Sequence, residues 1–238
     1  ATLSAMLRVC SETNRASEAL LLLHSSDVVS DIPGLVSGQS LSYAVIACSK
    51  ADRWYDALTL MDLYGCTSNL RKSNSTPIEL VSNKAINSVI GACGRSQRAD
   101  MSVTILNDMS SKYGVKQNEL SYRLAIIACN QAEHRERRNS DSVSGYDLLE
   151  LKWWECALSL LRRMREDGIT PSLQSFSSCI SACEAAGEWQ RAIGVLQQMP
   201  SFSSILSGDE VQIDSIRDSL SNLYCLNAAI SACEKGGA

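Results

Sequence analysis

Apolar residues recur along this chain at helical spacing. The pattern is clearest between Leu173 and Met199, where Phe176, Cys179, Ile180 and Cys183 mark one stripe and Trp189, Ala192, Ile193, Leu196 and Met199 a second. Steps of three and four residues place side chains on one helix face, so the spacing predicts two amphipathic helices. Gly187 separates them, and glycine readily takes the left-handed backbone that closes a helix. Two helices joined by so short a break form an antiparallel hairpin.

The same hairpin recurs. Ile180-Ser181-Ala182-Cys183-Glu184-Ala185 returns as Ile230-Ser231-Ala232-Cys233-Glu234-Lys235, with weaker copies at Ile46-Ala47-Cys48, Ile90-Gly91-Ala92-Cys93 and Ile127-Ala128-Cys129, and a degraded one at Leu7-Arg8-Val9-Cys10. Small residues repeat in the second helix at Ala19, Ala57, Ala157 and Ala192, and Trp54, Trp154 and Trp189 each precede such an alanine by three residues. Self-similarity on this scale signals stacked supersecondary units whose cores form against their neighbours. The expected fold is all-α: a right-handed solenoid of about five and a half antiparallel helix hairpins, read as one domain over 1–238. Units run near 1–37, 38–82, 83–118, 119–172, 173–222 and 223–238, the last lacking its second helix. The first helix of each unit is expected on the concave side and the second on the convex side. The marker cysteines Cys48, Cys93, Cys129, Cys183 and Cys233 should be buried at equivalent places, with Ala57, Ala157 and Ala192. Extra residues at 27–37, 67–80, 133–151 and 200–221 are read as loop insertions, and the charged run from Glu133 to Ser142 as a solvated loop.

Composition narrows the class. The 238 residues are 45% hydrophobic and only 5% aromatic, which suits helices packed through Ala, Leu, Ile, Val and Cys. No apolar run approaches the ~18 residues of a membrane span. Ten cysteines do not make a disulfide framework here, because six occupy one repeat position inside an apolar stripe. They point to a reducing compartment. Cys179 and Cys183, one turn apart, read as core residues, and with only His24 and His134 available no metal site is expected. The chain starts at Ala1 and stops within a hairpin, so it reads as a piece of a longer protein.

Phe176-Ser177-x-Cys179-Ile180-Ser181-Ala182-Cys183, followed by Gly187-Glu188-Trp189-x-x-Ala192 and Met199, resembles a pentatricopeptide repeat. So does the unit ending at Met164-Arg165-Glu166-Asp167-Gly168-Ile169-Thr170-Pro171-Ser172. The tetratricopeptide repeat shares the hairpin, but its first-helix Trp and Leu-Gly are not seen. The resemblance implies residence in a plastid or mitochondrion and recognition of single-stranded RNA, one base per unit. By that resemblance the readers are the fifth residue of the first helix and the last residue of the unit. Those pairs are Ser4 with Ser37, Ser42 with Ser82, Asn87 with Asn118, Arg123 with Ser172, and Ser177 with Asn222, with Asn227 alone. Ser177/Asn222 resembles an adenine-reading pair and Asn87/Asn118 a pyrimidine-reading one. The Ser/Ser pairs and Arg123 depart from the pattern.

No phosphate loop, His-Glu-x-x-His or Gly-x-Ser-x-Gly occurs, nor the His-x-Glu and Cys-x-x-Cys of a deaminase, so neither an enzyme nor a cofactor is expected within these residues. Charge argues against RNA: 22 basic residues face 26 acidic ones, net −4, whereas RNA binding draws on cations that neutralise phosphates. Two readings stand, an organellar RNA-binding repeat protein and a scaffold subunit that binds other proteins in a large organellar assembly.

Overall fold

The computed structural model describes residues 3–25, 38–64, 81–140, 152–199 and 216–236. They form eleven helices: α1 (Leu3–Thr13), α2 (Ala16–Ser25), α3 (Gly38–Lys50), α4 (Trp54–Tyr64), α5 (Asn83–Arg95), α6 (Ala99–Ser111), α7 (Glu119–Ser140), α8 (Trp153–Glu166), α9 (Leu173–Ala186), α10 (Trp189–Gln197) and α11 (Ile216–Gly236). No strand occurs among the described residues. The chain divides into two compact units, 1–124 and 125–238, with the boundary inside α7.

In the first unit α1/α2, α3/α4 and α5/α6 are hairpins whose first helices stack directly, α1 on α3 and α3 on α5, while α2 and α4 each also touch the first helix of the next hairpin. Small buried side chains permit that approach. Ala44, Ala47, Ala85 and Ala92 are fully buried, and so are Cys48 and Cys93. Ala19 and Ala57 close the second-helix side. In the second unit α9 packs against α8, α10 and α11, around Cys179, Ile180, Ala182 and Cys183.

One hairpin turn is used four times. The residue four places after the marker cysteine is left-handed: Asn14 (φ 58°), Asp52 (φ 56°), Gln97 (φ 62°) and Gly187 (φ 77°). The following N–H then donates back to the marker carbonyl, Arg15 to Cys10 (3.0 Å), Arg53 to Cys48 (2.9 Å), Arg98 to Cys93 (2.8 Å) and Glu188 to Cys183 (2.9 Å). This bond satisfies a carbonyl that the helix end would otherwise leave unpaired. Successive hairpins are tied by cations two residues after the marker cysteine. Lys50 Nζ donates to the Ser11 carbonyl (2.8 Å), Arg95 to the Ser49 carbonyl (2.8 Å) and Lys235 to the Glu184 carboxylate (2.7 Å). Each reaches the negative end of the preceding first helix, where a cation is favoured.

Three expectations are corrected. The segment 133–140 is helix, not solvated loop: α7 runs through the place where the other copies turn. Ala132 to Arg138 are mostly good helix formers. The overrun packs on α9, with His134 Nε2 2.9 Å from Ser181 Oγ and Arg137 donating to the carbonyls of Glu184 (3.3 Å) and Ala185 (2.6 Å). It also starts α8, since Glu133 accepts from the Trp154 N–H (3.0 Å) and Glu136 from the Trp153 indole (2.6 Å). Residues Ile216 to Ser221, read as insertion, open α11, because no glycine or proline interrupts the chain before Gly236. Cys233 is half-buried rather than buried, and Ile230 of the same helix is 57% exposed, because among the described helices only α9 and α10 pack against α11. The stretches 27–37, 67–80, 141–151 and 200–215 lie outside the described residues.

Candidate functional site

Helix geometry positions the candidate readers. Ser4, Ser42, Asn87, Arg123, Ser177 and Asn227 each stand six residues before a marker cysteine, hence on one face of successive first helices. The last residue of a unit immediately precedes the next first helix, at the capping position. Ser82 and Asn118 show what that does. Ser82 Oγ accepts from the Ala85 N–H at 3.3 Å and starts α5. Asn118 and Ser121 cap α7 reciprocally: Ser121 N–H donates to Asn118 Oδ1 (2.9 Å) and Asn118 N–H to Ser121 Oγ (2.7 Å). Such exchange satisfies two orphan donors of a helix start.

Two of the five pairs come together. Asn87 Nδ2 donates to Asn118 Oδ1 at 3.3 Å, although thirty-one residues separate them. The Ser82 N–H donates to Ser42 Oγ at 3.0 Å across forty residues. Asn87 is 4% exposed, and its Oδ1 has no hydrogen-bond partner within the chain. An unpaired buried amide acceptor costs about 1–3 kcal/mol, and the group is paired at once if a donor on a ligand reaches it.

The other positions are less complete. Arg123 is half-buried and ion-paired with Glu119 at 3.2 Å on its own helix, so its charge is already engaged. Ser172 faces Ser175 Oγ at 3.1 Å before α9. Ser177 donates to the Gln174 carbonyl at 3.0 Å. Ser4 is half-buried and Asn227 exposed, while Ser37 and the Asn222 side chain lie outside what the structure describes. Residues three places before the readers share their face: exposed Lys84 beside Asn87, Leu120 beside Arg123, and Tyr224, 55% exposed, beside Asn227. The register of the readers, stepped back one helical turn, is the sequence signal that finds them.

The thiols in this array are unreactive structural groups for the most part. Burial pushes Cys48 up to about 11, and Cys93 and Cys183 up to about 12, so they stay protonated. Cys156 differs. A hydrogen bond with Cys129 holds it below its ordinary value, while that bond and burial push Cys129 up. Among the described residues no cluster of three or more His, Cys, Asp or Glu could hold a metal ion, and no helix is long and apolar enough to cross a membrane.

Segments 85–113, 148–169 and 174–204 match the family model described as PPR repeat. These three segments are pentatricopeptide repeats. Among solved structures, the pentatricopeptide repeat protein PPR10 from maize superposes on all of it at a TM-score of 0.65 and 17% identity, a likeness of fold. This chain spans 27% of that protein's length. PPR10 in complex with an 18-nt psaJ RNA element is matched over 92% of this chain and 35% of that one at 13% identity, with a TM-score of 0.33, below the level of a shared fold. No curated protein matches the sequence.

Proposed function

We propose that this pentatricopeptide repeat chain is a non-enzymatic binding module that holds single-stranded RNA along the reader face of its first helices. The observation that carries the reading is the Asn87–Asn118 contact. It brings one residue from inside a hairpin and one from the start of the next to a single point, and leaves an amide acceptor and amide donors there. A base edge presents the complementary groups. Ser42 and Ser82 form the equivalent point one hairpin earlier. Lys84, exposed one turn before Asn87, supplies a cation for phosphate beside the first of these points. Family resemblance supports residence in a plastid or mitochondrion.

A second reading, a scaffold subunit binding other proteins of an organellar assembly, is favoured by charge. The chain is acidic overall, and Arg8, Arg15, Arg53, Arg95, Arg98 and Arg123 are all engaged with carboxylates. Anisotropy titration of a labelled pool of single-stranded RNA separates the two. RNA recognition predicts binding at low salt whose affinity falls steadily as salt rises, because each phosphate contact releases counterions. Binding no stronger than that of an acidic non-binding control protein would put the scaffold reading first.

A further inference from the structure

The second helices carry a feature that base reading does not use. Between α8 and α10 lies an open groove of about 500 Å³ within the second unit. Leu158 and Val195 line its apolar part, and Arg162, Arg165 and Arg191, against the one carboxylate of Glu155, its charged part. In a chain of net charge −4 this is a local concentration of positive charge. The arginines are placed rather than scattered. Arg165 is bonded to the Gln198 side chain and lies over the Phe176 ring at 5.3 Å, which fixes its plane. Arg162, 78% exposed, has only Glu166 at 3.5 Å, and Arg191 has no acidic partner among the described residues. Exposed pairs of that kind contribute little and are readily exchanged for another carboxylate.

Gly194 supplies an independent observation. It sits inside α10, where glycine costs about 1 kcal/mol relative to alanine. A Cβ built there meets nothing within 4 Å, so packing does not require its absence. What the missing side chain leaves is open space in the groove it lines.

We propose that this groove is a docking site for an acidic amphipathic segment of another protein, whose aliphatic or aromatic side chains enter beside Gly194 while flanking carboxylates pair with Arg162, Arg165 and Arg191. Charge complementarity selects the acidic partner, and Arg presents a fork matched to carboxylates. A nucleic-acid strand fits less well, since no ring is presented for stacking: Trp154 is 8% exposed and Phe176 is 2% exposed beneath Arg165. This site is separate from the reader face and stands whether or not that face binds RNA.

The test is selection of a random peptide library displayed on phage against the 238-residue chain, followed by affinity measurement on variants. Enriched peptides should carry Asp or Glu flanking Leu, Ile or Phe. Their binding should weaken at least ~10-fold in Gly194→Trp, which fills the groove, and in the double variant Arg162→Glu/Arg191→Glu. The arginine variant changes exposed residues only, so it remains informative if Gly194→Trp perturbs α10. Failure to enrich peptides, enrichment of basic ones, or peptide binding indifferent to both variants overturns the proposal. So does a groove that binds a single-stranded oligonucleotide instead, with that binding lost in Gly194→Trp.

Discussion

Gln97 turns the chain from α5 to α6 with φ 62°, a conformation that L side chains adopt at a cost of about 1–2 kcal/mol. Asn14 and Asp52 do the same at the equivalent place with residue types that tolerate it better, and Gly187 without penalty. Gln97→Gly should therefore stabilise the chain by about 0.5–1 kcal/mol, after allowing for the larger entropy glycine loses on folding. Gly187→Ala should destabilise it by a similar amount or more, although nothing lies within 4 Å of the new Cβ. Urea unfolding midpoints check both signs. A stabilised Gly187→Ala would mean that the left-handed turn is not what limits these hairpins. Of the four turns, only the one at Gly187 was visible in the sequence. The others lie at non-glycine residues, and the constant four-residue offset from the marker cysteine reveals them.

The element least legible in the sequence is the end of α7. Glu133 to Arg138 reads as a solvated charge run because charge alone does not say what it touches. In the folded chain those charges face helix ends: Arg137 meets the carbonyls closing α9, and Glu133 the amide opening α8. His134 gives this contact a pH signature. Burial lowers its pKa below the ordinary 6.5, aided by Arg138, Lys235 and Arg137, while Glu184 opposes. The folded state then binds fewer protons than the unfolded one, so the stability His134 contributes is present above pH ~6.5 and is lost as pH falls through the lowered folded value. Melting temperature should drop over that interval in the wild-type chain and drop less in His134→Gln. Equal drops in the two proteins would place the pH dependence elsewhere.

At the scale of the whole molecule, the repeat explains which features sequence could supply. Helix starts and buried alanines follow from one register, because the cysteine marks the same point in every unit, while the pairing of Asn87 with Asn118 and Ser42 with Ser82 was implied by the family resemblance. Features assembled from helices of different units do not follow from it. The bonds from Lys50 to Ser11 and from Arg95 to Ser49 were not legible in sequence, and the basic cluster Arg162-Arg163-x-Arg165, which was, gave no sign of the groove it lines with Arg191. Bonds and groove become visible only when neighbouring hairpins are stacked. The charge balance has its physical reason here too, since much of the positive charge closes helix ends and pairs with neighbours rather than lining the reader face. The central claim is that a pair of residues meeting between hairpins selects a base. It is tested most directly by sequencing the RNA that the chain retains from a random single-stranded pool, before and after Asn87→Ser. The account predicts a pyrimidine preference at one position for the Asn87/Asn118 pair, changing to adenine at that position alone in the variant. An unchanged preference, or no selected RNA from either protein, would contradict it.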